Sequence, residues 1–229
     1  MVSDLDEIPC AEAVRRAIAG LKAGEVVGLA LNAYAFFMNL RNISDPIWGN
    51  DPKIAKAATF WDEGIYAEVK YNRFIVEQVN KGASATKFRY VRPVRRIGNA
   101  GWHFSYMGGI DAVIRKIKSF NELGFFRRDN LREMVEERIK QGLAFWGDER
   151  FLPEKSDAMQ YMPQFVIDNL TRFGRYFVEA PAAYGIKQRL LIWWSPKKFK
   201  AKRFVWGMIL NIIPVWVRNI VKRCLKIYN

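Results

Sequence analysis

The 229 residues are half apolar and 14% aromatic, enough to build one full domain, alone or with an appendage, and too apolar for a disordered chain. Of the 37 basic residues behind the net charge of +14, eleven lie in 180–229, which holds no acidic residue; 1–179 keeps 26 basic against 23 acidic. A body so near neutrality lacks the basic face of a nucleic-acid-binding domain, and a single histidine excludes a multi-histidine zinc site.

Val2 and Ser3 read as the end of a buried strand leading into Asp4-Leu5-Asp6-Glu7-Ile8-Pro9. Alternate side chains of an extended backbone share one side, so Asp4 and Asp6 are expected to project together, about 7 Å apart. Two such carboxylates can hold a hard divalent cation and leave positions open for phosphate oxygens. The same acidic residues ahead of Pro9 suit the cap and dipole of a helix starting there. The motif alone leaves both readings open. Residues 1–9 lack the apolar stretch of a secretory leader. Cys10 and Cys224 give neither a metal-ligand spacing nor a disulfide framework, which fits a reducing compartment.

From Pro9 to about Ala23, apolar Val14, Ala17, Ile18 and Leu21 follow a helical spacing, with Gly24 as the stop. Val26–Leu31 and Tyr34–Leu40 suit buried strands, and Asn42 to Lys53 a loop. Ala57–Val79 is open between strand and helix: Phe60-Trp61 and Ile65–Tyr71 are strand-like, Asn72–Val79 helix-like. Lys87–Val91 and Gly101–Met107 are β-like, separated by a basic turn at Arg92–Arg96. Gly108-Gly109 then opens a helix through about Phe120. Further helices are expected over Asp129–Leu143, with Asp129 as N-cap and Leu131, Met134, Val135 and Ile139 facing the core, and from Pro163 to about Phe177. Alternating strands and helices favour an α/β body.

The run Gly98-Asn99-Ala100-Gly101-Trp102-His103-Phe104-Ser105-Tyr106-Met107-Gly108-Gly109, followed by Ile114, Lys116 and Ser119-Phe120, joins the opening Ser-Asp-Leu-Asp-Glu-Ile-Pro in a pattern. Together they resemble the β-1,4-mannosyl-glycoprotein β-1,4-N-acetylglucosaminyltransferase family, glycosyltransferase family 17, whose animal members add bisecting GlcNAc. Tyr34–Arg41 and Leu152–Phe173 are compatible with that family, and the resemblance covers about 1–177. It implies a GT-A (Rossmann-like) domain and inverting transfer from UDP-GlcNAc to a glycan or lipid-linked sugar. It also implies Mn²⁺ or Mg²⁺ held by Asp4 and Asp6.

The residues of the second motif each carry two readings. Gly108-Gly109 offers a backbone that a sugar can approach closely, or a plain turn. Trp102 and Tyr106 are sugar platforms, or with Phe104 a core stripe. His103 is a metal or substrate contact, or a hydrogen-bonded structural residue. Lys116 faces phosphates, or lies with Arg115 and Lys118 on a solvated helix face.

An inverting transfer needs a base on the acceptor hydroxyl. After Ser-Phe the family shows a histidine and, two residues on, a glutamate; this chain reads Ser119-Phe120-Asn121-Glu122-Leu123-Gly124. Glu122 is the first candidate base and Asp111 the second. In GT-A folds the acidic motif lies mid-domain, after the elements that grip uridine, so a chain opening on the motif is expected to be a fragment with part of the nucleotide site missing.

The tail from Tyr184 has another character. Leu190–Trp194 is followed by Ser195-Pro196 and the cluster Lys197, Lys198, Lys200, Lys202 and Arg203; Phe204–Val217 is almost wholly apolar, broken by Asn211 and Pro214. That is too short for a span of about 20 residues. Tryptophans and basic residues suit a headgroup boundary. The expectation is a membrane-surface helix kinked near Pro214, against a last helix packed on the body, a short or re-entrant span, or a nucleic-acid contact. The division is therefore 1–180 as the transferase domain and 181–229 as a basic amphipathic tail. The partners expected are a nucleotide sugar, a glycan or glycolipid acceptor and an anionic membrane, and no nucleic acid. The setting is cytoplasmic and peripheral to a membrane, or the Golgi lumen for a eukaryotic full-length protein. The alternative function is a catalytically impaired fragment that binds a membrane surface.

Overall fold

The structure is a computed structural model. It describes residues 1–49, 51–60, 88, 91–119, 130–144, 148–179 and 181–212, without the side chains of 158, 159, 199 and 202–212. The fold is mixed α/β with two mixed sheets. The chain divides into two compact units: Met1–Ala33 with Ile47–Phe104, and Tyr34–Pro46 with Ser105–Asn229.

In the first unit, β1 (Glu7–Pro9) leads into α1 (Ala11–Ala19) and then β2 (Val27–Leu29). After the loop at 47–52 come β5 (Lys53–Ile54), the short helix α2 (Ala57–Phe60) and β6 (Arg95–Ile97). The order β5-β2-β6 makes a three-stranded sheet, antiparallel at β5 and parallel at β6. Val27 and Leu29 share one face of β2 and bury against Ala13 and Ala17 of α1, whose small side chains let the helix sit close. Gly28 faces the other way, level with Lys53 on one side and Arg96 on the other. Above it lies the Asp51 carboxylate, 1% exposed as a side chain, which takes both Nε and Nη2 of Arg96. A Cβ on Gly28 would stand 2.8 Å from Asp51 Oδ2. Here glycine makes the room for a buried ion pair.

Several expectations change in this unit. Asp4 and Asp6 are not on an extended strand: Leu5-Asp6 forms a turn, closed by Glu7 N–H donating to the Asp4 carbonyl at 3.2 Å. Pro9 ends β1 rather than starting a helix, and α1 begins at Ala11 with no side-chain cap. The acidic run therefore does not cap α1. The basic turn expected at Arg92–Arg96 is in part strand β6, because Arg95 and Arg96 meet carboxylates of Glu25 and Asp51 that only the fold brings near. Phe60 ends a helix, Phe88 is helical, and the strands and helix read at 65–79 lie outside the described residues.

In the second unit, Tyr34, at the end of β3 (Asn32–Ala35), pairs with Arg41 of β4 (Leu40–Asn42), and β4 pairs antiparallel with β8 (Phe151–Pro153). The single strand expected over Tyr34–Leu40 is thus a hairpin. Phe36 takes a left-handed φ of 70°, and buried Asn39 fixes the turn by exchanging hydrogen bonds with the Val178 backbone at 2.8 and 3.0 Å. Helices α3 (Gly109–Ser119) and α4 (Leu131–Lys140) pack Val113, Ile117, Leu131 and Val135 around Phe36 and Phe151. The α4 face matches the expected one; its start is Asn130 at the cap, and Asp129 lies outside the described residues. The helix expected from Pro163 to Phe177 is broken into α5 (Gln164–Asp168), α6 (Leu170–Phe173) and a 3₁₀ turn at Gly174–Tyr176. Asn169 breaks it, with φ −123° and its amide bonded back to the Phe165 carbonyl at 2.8 Å. The last helix, α7, runs from Ile186 to Ile212 straight through Pro196. Pro214 lies outside the described residues.

Glu154 follows β8 and is held by the Tyr34 hydroxyl at 3.0 Å and Arg41 Nη1 at 3.3 Å. Burial raises its carboxyl above the usual 4.5, with Arg41 opposing in part. The folded chain therefore holds that proton more tightly than the unfolded one. This group's contribution to stability is complete below about 4.5 and is lost as pH rises through the raised value. Glu154→Gln is expected to flatten the pH dependence of the unfolding midpoint over that window; an unchanged slope would contradict the assignment.

Candidate functional site

Strand β7 (Gly101–Ser105) pairs antiparallel with β1: Glu7 stands opposite His103, Ile8 opposite Trp102 and Pro9 opposite Gly101. The Phe104 N–H donates to the Asp6 carbonyl at 2.8 Å. The acidic opening and the Gly98–Gly109 run, almost a hundred residues apart in sequence, thus become neighbours. Gly101 permits it: its φ is 140°, and a Cβ there would meet the Ile8 carbonyl oxygen at 2.1 Å.

Around this ladder the first unit builds a polar cluster. Glu7, 5% exposed, accepts the Trp48 indole N–H on Oε1 at 2.7 Å. Its Oε2 accepts the Asp4 N–H at 2.8 Å and the Ser3 hydroxyl at 3.2 Å. The Trp48 ring then stacks on His103, centroids 3.9 Å apart and planes within 11°. His103 is buried, with Nε2 3.7 Å from Asp6 Oδ1. His103 is therefore wedged between an indole and an aspartate. Glu7 is occupied in ordering the turn.

Asp4 is exposed and Asp6 partly exposed, its Oδ1 3.7 Å from His103 Nε2. Their donor set is all oxygen, which suits a hard dication that completes its shell with ligand and water oxygens. Among the described residues no group of three or more His, Cys, Asp or Glu converges on a common point. The fit therefore depends on oxygens that a ligand brings. Trp102, next to His103 on β7, is half-buried.

The second unit carries the rest of the motif. Tyr106 adopts a left-handed φ of 58°, and Gly108 and Gly109 follow with φ of 105° and 79°, both exposed. Three positive φ values in four residues make a tight, side-chain-poor bend before α3. A Cβ on Gly108 would press on Ala112 at 2.9 Å, whereas Gly109 has open space around it. Lys116 does not lie with Arg115 and Lys118 on the solvated face of α3. It is half-buried, its ammonium 4.8 Å above the Tyr106 ring and 3.5 Å from the Ser105 hydroxyl. Asp111 is engaged by Arg132 of α4, which raises the Arg132 guanidinium further. Glu122 lies outside the described residues.

Sequence reasoning missed Trp48 and the part played by Glu7. A tryptophan in a polar loop was the available signal, but its partner lies 41 residues away. Compared with known proteins, the chain matches no family model, no curated protein and no solved structure.

Proposed function

We propose that this chain is a metal-dependent, inverting glycosyltransferase of the GT-A kind, transferring N-acetylglucosamine from UDP-GlcNAc to a glycan or lipid-linked sugar. One observation carries the reading: the β1–β7 ladder sets the Asp4–Pro9 motif against Trp102 and His103, so the two runs on which the family resemblance rests meet in space.

Asp4 and Asp6 are the proposed holders of Mn²⁺ or Mg²⁺. When bound, such an ion supplies positive charge against the diphosphate that leaves. The chain's own residues do the rest. Glu7 fixes the turn that carries the two aspartates by accepting from Ser3, Asp4 and Trp48. Trp102 offers an apolar face to a pyranose, and His103 Nε2 stands 3.7 Å from Asp6 Oδ1. In the second unit, Gly108-Gly109 leaves backbone open to close approach, and Lys116 is steadied over Tyr106. Glu122 is the proposed base, taking the acceptor's hydroxyl proton as that oxygen attacks the anomeric carbon and UDP departs.

The test is calorimetric titration of UDP-GlcNAc with Mn²⁺ into the whole chain, beside Asp4→Ala and Asp6→Asn. Each substitution is expected to weaken the manganese-dependent binding by about tenfold or more. Identical titrations of all three proteins would overturn the metal role. For the base, Glu122→Gln is expected to abolish UDP release in the presence of acceptor while leaving donor binding intact.

A further inference from the structure

The first half of the C-terminal helix presents two unlike faces. Ile186, Leu190, Trp193, Trp194 and Lys197 stand four, seven, eight and eleven residues along from the first, one stripe of a 3.6-residue helix. The four apolar members are 80, 60, 60 and 55% exposed. Ile192 and Ser195 occupy the opposite side and are shielded, Ser195 to 7%. The side normally left in water is therefore the more aromatic one.

Two features show what it meets. Around the helix axis the stripe is bordered by Lys187 and Lys198 on one edge and by Arg189 and Lys200 on the other, all exposed. No acidic residue occurs from 180 to 229, so nothing neutralises these edges locally. The indoles of Trp193 and Trp194 also stack at 5.9 Å, and the Lys197 ammonium rides 3.2 Å over the Trp193 ring. An apolar ridge with aromatic rings at its centre and cations on both borders matches the headgroup boundary of an anionic bilayer. Rings and methylenes enter the acyl margin there while the ammonium groups stay with lipid phosphates. No helix among the described residues is long and apolar enough to cross a membrane.

We infer that the Ile186–Ala201 half of this helix is a docking surface for an anionic lipid bilayer, lying along it with Trp193 and Trp194 inward. Within the 181–229 tail read as membrane-facing from its sequence, this assigns the contact to residues 186–201, and it does not rest on the transferase reading.

The experiment is co-sedimentation of the full chain with phosphatidylcholine vesicles and with phosphatidylcholine–phosphatidylserine vesicles. The unaltered chain is expected to bind the anionic vesicles, with its tryptophans quenched when the lipid acyl chains are brominated. Trp193→Ala/Trp194→Ala is expected to lower partitioning roughly tenfold and remove much of the quenching. Lys198→Glu/Lys200→Glu is expected to lower binding as much, and at low salt most of all. Lys22→Glu/Lys56→Glu makes the same change in net charge at two exposed sites of the first unit and is expected to leave binding intact. Circular dichroism checks that each variant keeps its helix. Undiminished binding of the tryptophan variant, or equal loss in the Lys22/Lys56 control, would overturn the inference. So would salt-sensitive binding to DNA with none to vesicles.

Discussion

Gly101→Ala is expected to destabilise the first unit by about 3 kcal/mol or more, read as a lower urea midpoint at unchanged slope. Two costs combine. At φ 140° the backbone sits where a side chain is strained, and the new methyl would need space already held by the Ile8 carbonyl oxygen at 2.1 Å, Pro9 Cα at 2.8 Å and Cys10 N at 2.9 Å. All three are backbone atoms, so no side chain can swing away. Relief would have to come from parting β1 and β7, which also carries Asp6 off His103. Gly49 and Gly98 supply the contrast. Neither has an atom within 4 Å of a new Cβ nor a positive φ, so alanine there should change stability by less than about 0.5 kcal/mol. Equal midpoints for all three variants would show that the ladder does not depend on this glycine.

The same glycine shows why some of this structure was legible in the sequence and some was not. The run Gly101–Met107 is β-like in sequence, and Gly108-Gly109 marks the opening of a helix; the structure has a strand over Gly101–Ser105 and a helix over Gly109–Ser119. Both signals are local. The Asp4–Glu7 turn was misread as extended chain because what bends it is the Glu7 carboxylate reaching back to Ser3 and Asp4. That carboxylate is itself held by Trp48 from a distant loop. Tyr34–Leu40 looks like one apolar strand in sequence, but the Asn39 side chain finds its partners in the distant Val178 backbone. At the candidate site the motif residues were legible as residue types, while their division of labour was not. Burial turned His103 into a stacked support and drew Lys116 over Tyr106. Arg95 and Arg96 make the same point: charge density suggested a turn, and two distant carboxylates make a strand of them.

The Asp51–Arg96 pair yields an ordered prediction. Asp51 is almost fully enclosed, while the Arg96 side chain is 48% exposed. Breaking a buried pair by removing one partner costs about 3–5 kcal/mol when the survivor cannot reach water. The two partners are not equivalent in that respect. In Asp51→Asn the guanidinium can turn outward and rehydrate, so the cost should fall below that range, near about 2 kcal/mol. In Arg96→Met the carboxylate is stranded over Gly28, where there is no room for it to move. Lys53 does not replace the arginine simply, because its buried ammonium already donates to the Asp51 carbonyl at 2.9 Å. Arg96→Met should therefore be the more damaging change, although arginine is the more exposed residue. Urea unfolding of both variants decides the matter. A larger loss for Asp51→Asn would mean that the pair contributes through packing rather than through charge.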